Sequence, residues 1–164
     1  MYFVILKLIS EHLLSASFDQ TIKLWSISTG KCLQVFTGYQ VSVTVAKFST
    51  DSQYIVSGST DHTLKVWNIV TGKCQQTLTG HSDLISTLLV TNNTPLTDVT
   101  PIKLVAFSGS FDESIKLWEL QQNKCWQTLK VPCPYTGMKF KGMKGLSEAQ
   151  WATLEALGAN SEVG

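Results

Sequence analysis

Three eleven-residue segments of this chain superpose without a gap: Ser15-Ala-Ser-Phe-Asp-Gln-Thr-Ile-Lys-Leu-Trp25, Ser57-Gly-Ser-Thr-Asp-His-Thr-Leu-Lys-Val-Trp67 and Ser108-Gly-Ser-Phe-Asp-Glu-Ser-Ile-Lys-Leu-Trp118. Their tryptophans stand 42 and 51 residues apart. Thr29-Gly-Lys-Cys32 matches Thr71-Gly-Lys-Cys74, with an echo in Gln122-Asn-Lys-Cys125, and Phe36-Thr-Gly-Tyr39 matches Leu78-Thr-Gly-His81. Such a period means one supersecondary unit, used repeatedly, whose apolar faces are buried on its neighbours. Short β-branched and aromatic runs, Ser42 to Phe48, Tyr54 to Ser57 and Thr63 to Trp67, are separated by Asp, Gly, Ser and Asn, the composition of strands and tight turns.

A period near 42, with Gly-His near its start and Trp near its end, resembles the WD repeat over about residues 1 to 131. The resemblance implies an all-β fold of three four-stranded antiparallel propeller blades, an incomplete propeller, followed by a short C-terminal α-helix. Residues 1–37 form a partial blade, 38–79 a second and 80–131 a third, leaving 132–164 as a tail. In the second repeat strand a is expected near Val41 to Phe48, b near Gln53 to Ser59, c near Thr63 to Asn68 and d near Lys73 to Leu78. The third repeat carries a polar, Pro-bounded insert at 91–101 that lengthens its a–b loop by nine residues and belongs on the bottom face.

His81, Ser108, Asp112 and Trp118 invite comparison with a hydrolase triad. The family resemblance implies a structural hydrogen-bond network instead, in which buried polar groups fix the turn between strands b and c. His81 is expected to meet Asp112, Trp118 and one of Ser108 or Ser110. The second blade places Tyr39 where His is expected, beside Ser57, Asp61 and Trp67, which predicts an altered and weaker network. The first has Asp19 and Trp25 and lacks a preceding Gly-His. No phosphate loop, nucleophile elbow or paired-carboxylate scaffold occurs, so no enzymatic activity and no cofactor are expected.

Propellers generally bind through the top face, formed by d–a and b–c loops. Phe18, Thr60 and Phe111, each directly before a turn Asp, are therefore candidate partner contacts, joined by Val41, Asp83 and Leu84 at the entry to strand a. Lys23, Lys65 and Lys116 alternate with apolar residues on strand c and are expected to lay their stems on the blade.

The 13 basic residues are all lysine, spread without a cluster, against 12 acidic ones. Without arginine, phosphate and nucleic-acid recognition are disfavoured. Cys32, Cys74 and Cys125 recur at one repeat position and are expected to be buried small apolar groups rather than disulfide partners, while Cys133 stands outside the pattern. No CxxC pair occurs and the histidines do not fall at zinc spacings, so no metal site is expected. The apolar opening Met1 to Ile9 lacks a basic leader and is interrupted by Lys7, which favours a strand over a signal peptide. No stretch reaches membrane-span length, so a cytoplasmic protein without membrane contact is expected.

In the tail, Ser147-Glu-Ala-Gln150 reads as a capping box opening a helix at about 148–157, with Trp151, Leu154 and Leu157 on one side and Gly158 as its stop. The tail resembles the extension after the last blade in large WD-repeat proteins of photosynthetic bacteria. Three functional expectations follow: a protein–protein interaction scaffold; the ligand-sensing propeller segment of a bacterial P-loop signalling NTPase; or a truncated, non-functional product. Three blades cannot close a ring, so the chain is either the C-terminal part of a longer propeller, which is preferred because the first repeat begins part-way through a blade, or one of several self-associating copies.

Overall fold

The computed structural model describes residues 11–92 and 104–130. Eleven strands lie among them: β1 (His12–Ala16), β2 (Ile22–Ser26), β3 (Cys32–Phe36), β4 (Val43–Phe48), β5 (Tyr54–Ser59), β6 (Leu64–Asn68), β7 (Cys74–Leu78), β8 (Ile85–Thr91), β9 (Val105–Ser110), β10 (Ser114–Glu119) and β11 (Lys124–Lys130). They form three antiparallel meanders: β1-β2-β3, β4-β5-β6-β7 and, in spatial order, β11-β10-β9-β8. The strands of the middle repeat begin within two residues of the positions read from the repeat. The opening strand, residues 93–103 of the insert and its flank, Cys133 and the helix expected at 148–157 lie outside the described residues.

The turns explain why these segments close as they do. Between c and d, Gly30 and Gly72 take φ of 67° and 70° and return their amides to Ser26 and Asn68 at 2.9 Å. The third repeat replaces that turn by a 3₁₀ turn, Leu120–Gln122, ended by Asn123 in the left-handed region at φ 53°. Asn tolerates that region better than most residues, which is how Gln122-Asn-Lys can stand where Thr-Gly-Lys stands elsewhere.

Each sheet buries both faces where it has a neighbour on each side. Leu14, Ala16, Ile22, Leu24 and Phe36 of the first pack with Val43, Ala46, Phe48, Ile55 and Trp67 of the second. The second turns Val45, Val56, Leu64, Val66 and Leu78 toward Ile85, Leu88, Val90, Leu104, Ala106 and Trp118 of the third. A bulge between Val43 and Val45 in the β4–β5 ladder changes the alternation, so these residues, two apart, serve opposite faces. The recurring Thr44 or Ser86 at the bulge returns its hydroxyl to a b-strand carbonyl, Gly58 at 3.0 Å or Gly109 at 3.3 Å, and Thr44 also reaches Ile85 O of the next sheet.

The expected burial of the repeat cysteines is corrected. Cys32 and Cys74 are exposed and Cys125 is half-buried, all three as free thiols. Strand d is the outermost of each sheet, and its first residue has no further strand to cover it. Their thiols contact the carbonyls of Gln34, Gln76 and Gln127, two residues on.

Candidate functional site

The Ser-x-Ser-x-Asp-x-Ser/Thr pattern assembles the same turn three times. The second serine of each triplet, Ser17, Ser59 or Ser110, accepts the amide of the turn aspartate at 3.1 Å. The aspartates accept in turn from the residue two further on: Thr21 N at 3.0 Å, Thr63 N at 2.9 Å and Ser114 N at 3.0 Å. The hydroxyls of Thr21, Thr63 and Ser114 add bonds of 2.6, 2.7 and 2.6 Å to the same carboxylate oxygens. Between them Gln20, His62 and Glu113 sit at φ 72°, 69° and 62°. These are Asx turns, held by side chains at positions where the backbone alone would be strained.

The first serine of each triplet has another partner. Ser15, Ser57 and Ser108 accept the indole N–H of Trp25, Trp67 and Trp118 at 2.9, 2.8 and 2.7 Å, which ties strand c to strand b. Ser57 and Ser108 are fully buried, so the pairing satisfies groups that would otherwise be costly to desolvate.

In the third sheet the connector from β7 to β8 completes a relay. His81 Nε2 lies 2.7 Å from Ser108 Oγ and Nδ1 lies 2.8 Å from Asp112 Oδ2. An indole only donates and a carboxylate only accepts, so Trp118 donates to Ser108 and His81 Nδ1–H donates to Asp112. The Ser82 amide adds a bond of 3.0 Å to the same carboxylate oxygen. Burial pushes the Asp112 carboxyl up, but bonds from the Ser114 hydroxyl, the Ser82 amide, His81 and the Ser114 amide outweigh it and hold the group well below the usual carboxylate range. Gly80, at φ 154°, passes so close to the indole that a Cβ there would stand 3.2 Å from Trp118 Cη2. The Gly-His dipeptide thus has a steric reason for its first residue and a polar one for its second.

The middle sheet reaches the same serine differently. The Tyr39 hydroxyl lies 2.9 Å from Ser57 Oγ and donates to Ser57 O at 3.0 Å, its ring buried at 5.9 Å from that of Trp67. Burial pushes the Tyr39 phenol far up, so it remains neutral. Tyr39 bonds Ser57 rather than Asp61, whose carboxylate is held by Thr63. In the first sheet Lys23 takes the open side of Asp19 at 3.3 Å, and the bond from the Thr21 hydroxyl is the largest influence lowering the Asp19 carboxyl. The other strand-c lysines reach across to strand d, Lys65 to Thr77 at 3.0 Å and Lys116 to Thr128 at 2.9 Å. Lys23 faces Val35 across the ladder, which offers no side-chain acceptor.

An Asp–His–Ser line at hydrogen-bond spacing has the outline of a hydrolytic triad, but its hydroxyl is fully buried and its oxygen is occupied by an indole. Beside the polar Gln20, His62 and Glu113, the same turns expose apolar groups. Phe18 and Phe111 are exposed just before Asp19 and Asp112, with Val41 and Asp83 exposed on the connectors, whereas Thr60 and Leu84 are half-buried. The loops carrying them are joined by backbone bonds, Thr60 N to Ser42 O and Phe111 N to Leu84 O, both at 3.1 Å. Sequence reasoning did not single out Ser114 and Ser82 as partners of Asp112. Ser114 had a signal, a hydroxyl residue two positions after every turn aspartate.

Antiparallel meanders, one of three described strands and two of four, packed face to face and each pinned by an indole–serine bond and an aspartate turn, define a segment of β-propeller. The family model described as "WD domain, G-beta repeat" matches residues 9–26, 30–68 and 72–119, and the chain belongs to that family. It is 31% identical over 127 residues to the CCR4-associated factor 4 homolog of Candida glabrata, covering 71% of this chain and 20% of that protein. Among solved structures it is similar to one titled "Structure of U3-55K", with a TM-score of 0.63 and 26% identity over 74% of this chain and 36% of the other. The chain thus spans about a fifth of the curated relative it matches. Neither match supports a bacterial origin or the resemblance drawn for the tail.

Proposed function

We propose that this chain is a non-enzymatic protein-interaction segment of a WD-repeat propeller, and that it meets its partner through the edge where the aspartate turns and the d–a connectors emerge. The observation that carries this reading is the paired exposure of Phe18 and Phe111, which occupy the same place in two repeats on turns that their own side chains hold rigid. Exposed aromatics on a preorganised loop cost little entropy to bury, so they suit the anchors of an interface. Val41 and Asp83 flank them, and Thr60 takes the equivalent place in the middle repeat. A relative whose printed name records association with another factor is consistent with such a role. A cytoplasmic location belongs to the same proposal.

The test is immunoprecipitation of the natural protein from its own cells, compared with F18A and F111A versions and the double variant. At least one co-precipitating protein should fall roughly tenfold or more in the double variant, the scale of losing about 1.4 kcal/mol or more of binding. An unchanged set of partners, with thermal unfolding also unchanged, would sink the reading.

A further inference from the structure

Gln34 and Gln76 stand at the same place on strand d of the first two sheets, and only one of them is satisfied. The Gln34 amide is held by Ile69 O and Gly72 N at the c–d turn of the next sheet. The third sheet has no such glycine turn, since Leu120–Gln122 is a 3₁₀ turn, and Gln76 Oε1 is buried without a hydrogen bond. Beside it, between the second and third sheets, lies a cleft of about 130 Å³. Both of its walls are sheets with all four strands in place. It sits at the edge away from the aspartate turns, where the a–b turn of the second sheet approaches the c–d turn of the third. Val66, Leu104 and Leu120, all buried, line it together with the half-buried Tyr54. The exposed Asp51, Gln75 and Gln121 complete the lining. Asp51 Oδ1 accepts from the Ser49 hydroxyl at 2.5 Å and the Gln53 amide at 3.1 Å, which leaves Oδ2 open to a further donor. A cavity of about 150 Å³ takes a benzene-sized molecule, so this cleft has room for one side chain and not for a nucleotide or a peptide segment.

We propose that this cleft receives the arginine side chain of a protein partner, a second contact that does not depend on Phe18 and Phe111. None of its lining residues carries a positive charge, while the Asp51 carboxylate and the Gln76 carbonyl both want a donor. An apolar floor beside a carboxylate suits a long side chain with an apolar stem and a charged head. Arginine fits better than lysine. Its planar guanidinium spreads five N–H donors and so reaches acceptors carried by separate elements, β7 and the a–b turn, and it stacks on an aromatic ring such as that of Tyr54. The last side-chain torsion of a glutamine is soft, so Oε1 of Gln76 turns readily to a donor that enters. An unpaired buried acceptor destabilises the free protein, and the guanidinium removes that penalty when it binds.

The probe is Nα-acetyl-arginine amide, observed by saturation-transfer NMR against the natural protein, with the neutral, similarly shaped Nα-acetyl-citrulline amide for comparison. The arginine probe should bind in about the millimolar range and weaken as salt is added. The citrulline probe should bind about fivefold more weakly or less. Gln76→Leu should weaken the arginine probe roughly tenfold. Asp51→Asn, which keeps Oδ1 for Ser49 and Gln53, should weaken it about two- to fivefold and flatten the salt dependence. Thermal unfolding checks that each variant is folded; should Gln76→Leu not fold, Asp51→Asn decides. Immunoprecipitation of the Gln76→Leu protein from its own cells should also lose at least one partner. Four results would overturn the proposal: a wild type that does not bind the probe, as when the chain's own residues 93–103 fill the cleft; equal binding of the two probes; probe binding that neither substitution changes; or a full set of partners with Gln76→Leu, which would make the cleft a site for a free small molecule.

Discussion

His81 and Asp112 stand 31 residues apart in sequence and 2.8 Å apart in space. The histidine lies on the connector leaving the second sheet and the aspartate on a turn of the third, so their bond fixes where the connector enters. Replacing His81 by Ala leaves the Ser108 hydroxyl and one Asp112 oxygen without their ring partner in a buried setting. The expected cost is about 2 to 3 kcal/mol, read as a lower urea midpoint with unchanged slope.

The bonds that Asp112 accepts from the Ser114 hydroxyl, the Ser82 amide and His81 predict a pH dependence. Asp112 has its carboxyl depressed in the folded state. A depressed acid contributes stability that is present above its unfolded value, about 4, and is lost as the pH falls through its folded value. Unfolding midpoints should therefore decline below about pH 4, and an Asp112→Asn variant should decline less steeply there. Asp19, also depressed, contributes in the same direction. Parallel wild-type and variant curves through that range would contradict the assignment.

Tyr39 offers a contrast between two ways of reaching one serine. Tyr39→Phe keeps the ring on Trp67 and removes only the hydroxyl bonded to Ser57, at an expected cost of about 1 to 2 kcal/mol. Tyr39→His reinstates the imidazole found in the third sheet, with Asp61 as its acceptor, and should retain more stability than Phe. A Phe variant as stable as the wild type would show that the hydroxyl is dispensable.

Most of the architecture was legible because an eleven-residue pattern leaves little freedom in placing strands and turns. Where the structure departed from expectation, one repeat had changed a residue whose effect is tertiary. Nothing local in Tyr39 says that its longer ring carries the hydroxyl past Asp61 to Ser57, or that Val35 instead of a threonine turns Lys23 to Asp19. The cysteines misled for a related reason: their recurrence was read as burial, whereas recurrence reports only equivalent position, and the start of strand d lies outside.

Gln34 and Gln76 occupy one repeat position and have different fates. The Gln34 amide donates to Ile69 O at 2.8 Å and accepts from Gly72 N at 3.2 Å, latching the first sheet to the c–d turn of the second. At Gln76 the facing turn is the 3₁₀ segment Leu120–Gln122, and Oε1 is buried without a hydrogen bond beside an open cleft of about 130 Å³ lined by Asp51, Gln75 and Gln121 as well as Tyr54, Val66, Leu104 and Leu120. Gln34→Leu should destabilise by about 1 kcal/mol or more, whereas Gln76→Leu should be neutral or stabilising, since it removes an unpaired acceptor. Chemical denaturation of the two variants decides it, and equal losses would contradict the distinction.

Because His81 precedes the strands of the third sheet yet bonds within it, the element that melts as one is not the element that shares a ladder. Cutting the chain after β7 would take away the partner of no strand in the second sheet, yet it would uncover Val45, Val56, Leu64, Val66 and Leu78 together. Cooperativity in this chain therefore passes across the faces between sheets, so shortening the array by one repeat should lower the stability of the one that remains beside the cut.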